Sequence, residues 1–233
     1  MAMDKHNQNN LTVVKHNTLN RASYSLTLDE RRLILSSIAQ LNSREKMLEE
    51  ITIHASEFAH QWGISEKHAY KQLKDARNNL YERNIRLKKN GKVTDMRWLD
   101  SASYVDGEGY ICLSFTKKIS PYLSELNGFY SSYRLMEVRN FKSGHAIRLY
   151  ELMMQFKETG WMDESVGELK EIFGVADKYP SWYEFRRWVI NPAVKEINAV
   201  TNYKLKYSTQ KRGRNISRVK FVFGRNEQTD MFK

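Results

Sequence analysis

One cysteine, Cys112, stands in 233 residues. An internal disulfide is therefore excluded, as is any zinc site built from several thiolates, and a lone cysteine suits a reducing cytoplasm. No apolar run approaches the ~20 residues that a membrane-spanning helix needs. The opening MAMDKHNQNNLTVVKHN is polar and lacks the apolar centre of a secretory signal. The expected location is the cytoplasm, with no membrane contact.

Catalytic signatures are missing too. The one Gly-Lys pair, Gly91-Lys92, is followed by Val93 and has no glycine at the spacing of a phosphate-binding loop. The six histidines, at 6, 16, 54, 60, 68 and 145, never fall as His-x-His, the ligand pattern of a rolling-circle nickase. His145-Ala-Ile-Arg148 has the His-x-x-Arg spacing of tyrosine recombinases, but an amphipathic helix accounts for it and the companion motifs are absent. Acid pairs such as Glu49-Glu50 fall in loops. No catalytic residue, metal or cofactor is expected. Leu19, Leu26 and Leu33 are seven apart, yet Tyr24-Ser25-Leu26-Thr27 is a poor helix and core packing explains them better than a zipper.

What the chain does have is positive charge, a net of +11. Residues 177–223 hold eleven Lys/Arg against three acids, and residues 65–97 hold ten against four. These islands carry +8 and +6, which leaves −3 for everything else. Two basic islands on a near-neutral body point to a polyanion touched at two places. A single basic run is more commonly a solvated helix face, so the place of each run in the fold decides its meaning.

The order of elements supplies that place. LTLDERRLILSSIAQLN reads as a helix with Thr27 as N-cap, Asp29 and Glu30 in its first turn, and Ile34, Ile38 and Leu41 facing a core. ITIHA is a short strand and SEFAHQW a short helix ending at Gly63. Ser65 then caps a helix whose buried stripe is Ala69, Leu73, Ala76 and Leu80. Lys67, Lys71, Lys74 and Asn78 lie opposite. NIRLKKNGKVTDMRW reads as a hairpin turning at Asn90-Gly91, with Lys88, Lys89 and Lys92 near its tip. YICLSF is a further strand, and a helix is expected over 120–126. Helix, strand, helix, glycine turn, helix, hairpin is the order of a winged helix-turn-helix.

After a soft boundary at LNGFYSSY the order repeats. HAIRLYELMMQF is a helix, WMDESV an extended segment, and GELKEIFGV parallels SEFAHQWGI. A long helix follows, with Phe185, Val189, Ala193, Ile197 and Val200 inward and Glu184, Arg187, Asn191, Lys195 and Asn198 outward. Pro192 must kink or divide it. Tyr203, Leu205 and Tyr207 alternate with lysines, as do Val219, Phe221 and Phe223 with Arg218 and Lys220. The loop between these strands carries Lys211, Arg212 and Arg214. The fold expected is α+β, two tandem winged helices related by an internal pseudo-repeat. The N-terminal unit spans 21–127 and the C-terminal one 128–226, with flexible ends over 1–20 and 227–233. In both halves the charge falls on the second helix of the turn and on the hairpin, where a winged helix meets DNA.

VVKHNTLNRASYSLTLDERRLILSSIAQL and YEFRRWVINPAVKEINAVTNYKLKYSTQKRGRNISRVKFVF, with HAIRLYELM between them, resemble the plasmid replication initiators of the Rep_3, or initiator RepB, family. His145 stands where that family has a more aromatic or apolar residue. The resemblance implies a protein that binds repeated origin sequences (iterons) as a monomer and an operator inverted repeat as a dimer, repressing its own gene. It implies host initiator, helicase and Hsp70-type chaperones as partners. By matching position it makes Arg186, Arg187 and Lys195 contacts of the reading helix and puts Lys211, Arg212, Arg214 and Arg218 on the wing. Periodicity favours Arg187 over Arg186 as the outward residue. A purely transcriptional regulator on the same two domains is the other reading.

Overall fold

The structure, a computed structural model, describes residues 10–89 and 91–226, and the chain divides into two compact units, 1–140 and 141–233. In the first, α2 (Leu28–Ile38) begins at Thr27, whose Oγ1 accepts from the Glu30 N–H at 3.2 Å while the Glu30 carboxylate accepts from the Thr27 N–H at 2.9 Å. This reciprocal cap satisfies two donors that a helix start otherwise leaves orphaned. Glu30 is fully buried, and Arg83 Nη2 donates to it at 2.9 Å. β2 (Ile51–His54) leads into α3 (Ala55–Trp62), which Gly63 ends at φ 62°, a left-handed conformation that glycine adopts without strain. α4 (Glu66–Tyr81) buries Ala69, Leu73, Ala76 and Leu80, the stripe its spacing predicts. Ser65 holds the N-cap position without a side-chain cap bond.

The strands after α4 differ from expectation. β3 (Asn84–Lys89) and β4 (Lys92–Arg97) form a separate two-stranded sheet. Asn90 of the Asn-Gly turn lies outside the described residues. β5 (Leu99–Tyr104), which the alternation of side chains did not reveal, and β6 (Tyr110–Phe115) complete a three-stranded sheet in the order β2-β6-β5. The wing of this unit is therefore β5–β6, with its tip at 105–109, and β3–β4 is an insertion before it. The helix expected over 120–126 is a single tight turn, Ser120–Tyr122; Pro121 suits its first turn, and Glu125, at φ 51°, leaves helical geometry and stops it from continuing.

Residues 12–20, expected to be flexible, are built into the unit. β1 (Thr12–His16) pairs antiparallel with β7 (Tyr130–Arg134), α1 (Asn17–Asn20) follows, and Val13 and Leu19 are fully buried. The same pairing draws 128–140 into the first unit, so the division falls at 140/141 and not at 127/128. Leu19 and Leu33 sit on different helices, α1 and α2, which rules out the zipper. Residues 1–9 and the tail 227–233 lie outside the described residues.

The second unit repeats the plan. α5 (Gly144–Gln155) starts at Ser143, whose Oγ accepts from the N–H groups of His145 and Ala146. β8 (Trp161–Ser165) and α6 (Val166–Ile172) follow. The long helix runs as α7 (Trp182–Phe185), a π turn (Arg186–Ile190) and α8 (Asn191–Val200). The Asn191 N–H bonds the Arg186 carbonyl five residues back. This wide turn ends just before Pro192, absorbing the missing donor without breaking helical geometry. β9 (Tyr203–Arg212) and β10 (Asn215–Arg225) close a sheet ordered β8-β10-β9, the counterpart of β2-β6-β5 strand for strand. Arg148 of the His-x-x-Arg spacing is buried, donating to the Ile172 carbonyl at 3.2 Å and pairing with buried Glu151, while the His145 ring packs 5.7 Å from that of Phe173. Core packing accounts for both residues.

Candidate nucleic-acid interface

In the C-terminal unit the reading helix is anchored by Ser181, whose Oγ accepts from the Glu184 N–H at 3.2 Å while the Glu184 carboxylate accepts from the Ser181 N–H at 3.1 Å. The Ser181 hydroxyl, which also donates to the Glu184 carboxylate at 2.8 Å, and next the Ser181 N–H hold that carboxyl below its ordinary pKa, so an anion sits at the positive end of the helix. Phe185, Val189, Ile190, Ala193 and Ile197 are buried. Tyr183, Arg187, Trp188, Asn191 and Lys195 form the exposed side. Arg186 is half-buried, with Cζ 5.8 Å from the Tyr183 ring and a buried Nε that has no hydrogen-bond partner. Of the two arginines, Arg187 faces out. Trp188, absent from the expectations, shares that face, and Arg187 Cζ lies 4.9 Å from its ring centroid. Its aromatic character reads as core, but its spacing, three residues before Asn191 and seven before Lys195, already puts it on the outward side.

The wing is the β9–β10 hairpin. Lys211 and Arg212 end β9 and Arg214 follows Gly213 in the turn, all three exposed. Gly213 stands at φ 63°, the left-handed value a tight turn demands. Among the described residues none of these three cations has an acidic partner. Arg218 differs: its Nε donates to Asp163 Oδ1 at 3.1 Å and its Nη2 to the Asp163 carbonyl at 3.0 Å. It lies on β10 of the wing hairpin, as expected, and fastens that strand to β8. The Tyr207 hydroxyl, on β9, donates to Asn191 Oδ1 at 2.6 Å and joins wing strand to reading helix.

The N-terminal unit is built differently. Lys67, Lys71 and Asn78 are exposed along α4. Lys74 is engaged: its Nζ lies 2.9 Å from Asp106 Oδ1 and 4.0 Å from the Tyr104 ring centroid. The hydrogen bond to Asp106 raises the Lys74 pKa, so the pair is ionic at neutral pH. Arg77 donates to the Ala102 carbonyl and to Asn78 Oδ1, and Tyr70 Oη donates to the Val105 carbonyl at 3.3 Å. The true wing tip carries Asp106 and Glu108, where its counterpart carries cations. Lys88 and Lys92 are exposed on the inserted β3–β4 hairpin and not on that wing, and Lys89 pairs with Lys92 across the hairpin backbone. Arg86 of the same hairpin is held by Asp95 at 2.8 Å, which lowers the Asp95 pKa.

Among the described residues no group of three or more His, Cys, Asp or Glu is arranged to hold a metal, and no helix is long and apolar enough to cross a membrane. What the arrangement offers is a helix of groove-fitting size with two cations, an amide and an indole exposed, beside a basic hairpin. Such side chains read base edges, and such hairpins hold phosphates.

Comparison with known proteins agrees. A family model described as "Initiator Replication protein, WH1" matches residues 12–154, and "Initiator Rep protein, WH2" matches residues 165–223. The chain is 28% identical to the "PI protein" of Escherichia coli over 92% of its own length and 83% of that protein. It is also 28% identical to an Escherichia coli "Replication initiation protein", over 95% of its own length and 72% of the other. Among solved structures it is similar to a Pi initiator protein in complex with iteron DNA, with a TM-score of 0.80, 27% identity and coverage of 94% of this chain and 99% of that one.

Proposed function

Because the chain belongs to the initiator replication protein family, with two winged-helix domains, we propose that it initiates plasmid replication by binding iterons in double-stranded DNA. The observation that carries the reading is the exposed stripe Arg187, Asn191 and Lys195 beside the wing cations Lys211, Arg212 and Arg214. The helix side chains reach base edges in the major groove, and the wing neutralises phosphates. Lys67, Lys71 and Asn78 on α4, with Lys88, Lys89 and Lys92 on the inserted hairpin, form a second contact surface. Lys74 joins it on release from Asp106. The names of the relatives, and the iteron DNA held by the similar solved protein, support this assignment.

The proposed protein has no catalytic residue. It marks the origin in the cytoplasm and uses binding energy to bend or load it. It acts as a monomer on direct repeats and as a dimer on an inverted repeat at its own promoter. Host initiator, helicase and Hsp70-type chaperones are the partners it recruits. The test is incubation with supercoiled origin plasmid and Mg²⁺, detergent denaturation, and a parallel footprint. Intact supercoils and protection over repeated sites are expected. Nicked circles or protein-linked ends that depend on one tyrosine would replace the reading with a nickase or recombinase. Protection confined to a single inverted repeat would leave only a transcriptional regulator.

A further inference from the structure

We propose that Trp188 reads DNA sequence and that its partner is the C5-methyl group of a thymine; the inference rests on the DNA-binding reading above. Trp188 is 56% exposed in the middle of the outward stripe, between Arg187 and Asn191. On the opposite side of the same helix Phe185, Val189 and Ile190 are fully buried, so the segment does not lack a core into which an indole could turn. Trp188 lies three residues before Asn191 and seven before Lys195, and Arg187 four before Asn191, so helical spacing turns both outward with the rest of the stripe. Arg187 Cζ, 4.9 Å from the ring centroid, couples the guanidinium to the indole, so whatever meets one meets the other.

The chemistry of the groove then narrows the partner. Base edges in the major groove present donors and acceptors, and the thymine methyl is the one apolar group among them. An indole accepts no hydrogen bond and donates one, so it cannot replace the water on an adenine or cytosine amino group. Against a methyl it loses nothing and buries surface that is otherwise wet. Arg187 alongside suits guanine O6 and N7. The two neighbours together select a step that contains a guanine and a thymine.

The probe is a duplex selected from a random-sequence pool on the full chain, with each thymine then replaced in turn by deoxyuridine, which deletes the methyl alone. At one position the wild type should lose about fourfold in affinity, the worth of one buried methyl-sized group. Trp188→Ala should bind the parent duplex about as weakly as the wild type binds that uridine duplex, and should show no further loss on it. Trp188→Phe, which keeps an apolar ring, should retain part of the methyl effect. Should selection yield no preferred sequence, the DNA-reading assignment itself falls. If a preferred sequence emerges but no uridine duplex is weakened, or Trp188→Ala keeps the full uridine loss, the Trp188 assignment is overturned while DNA reading stands.

Discussion

The Tyr207 hydroxyl donates to Asn191 Oδ1 at 2.6 Å, linking the wing strand to the outward face of the reading helix. The bond fixes which end of the amide is committed and leaves the NH₂ to donate to a base edge. Burial raises the Tyr207 pKa above its ordinary 10.0, opposed by Arg186, so the phenol is protonated and donating throughout the neutral range. Tyr207→Phe should free the amide to rotate, costing about 1 kcal/mol on specific DNA and relaxing preference at one base pair. With a raised folded-state pKa, the contribution of Tyr207 to folding is complete below the ordinary value and is lost as pH rises through the raised one. The difference in specific binding between the wild type and Tyr207→Phe should therefore stay constant between about pH 6 and pH 9. Titrations of both proteins on specific and scrambled duplexes across that range check it.

Arg187 and Lys211 should behave differently. Arg187→Ala should cost ~1–3 kcal/mol on specific DNA and narrow the gap to scrambled DNA. Lys211→Ala, at the wing tip, should weaken all sequences about equally. An Arg187→Ala protein with undiminished discrimination would remove that residue from base reading.

Asp106 holds Lys74 out of use on α4. Asp106→Asn should strengthen binding to any duplex only modestly, since the pair is exposed. If ~8 phosphates are neutralised, log K against log[salt] should slope near −7, and the variant should steepen it by about 0.9 as one more lysine engages. An unchanged slope would mean that Lys74 meets no phosphate.

Arg83 compensates a carboxylate with no access to water. Arg83→Ala leaves Glu30 buried with its cap bonds alone, and unfolding of the full chain should show the N-terminal unit weakened by about 3 kcal/mol. Arg83 is partly exposed, so Arg83→Lys, which keeps the charge but not the fork, should recover roughly half of that loss. Equal stability of the alanine variant and the wild type would show that Glu30 needs no counter-charge.

Much of this protein is determined locally. The Thr27 capping box, the stop at Gly63, the Ala69–Leu73–Ala76–Leu80 stripe and the outward positions of Arg187, Asn191 and Lys195 follow from spacing and cap chemistry within a few turns of helix. So does the repetition of the winged-helix order in two halves. What tertiary structure alone decided are the pairings between distant residues. Either of two hairpins could have been the wing of the first unit. The choice of β5 as the partner of β6 depends on which strand covers Ile111 and Leu113; Asp106-Gly107 between them is a turn signal of the same kind as Asn90-Gly91, so turn chemistry alone does not choose between the hairpins. β1 finds β7 more than a hundred residues away, which turned an apparently loose N-terminus into structure and moved the unit boundary. Lys74 and Arg218 look like free cations in sequence and are claimed in space by Asp106 and Asp163. Side-chain periodicity reports which face a residue occupies, but the partner across that face is set by chain closure and by competition for buried surface and counter-charge, which only the assembled fold resolves.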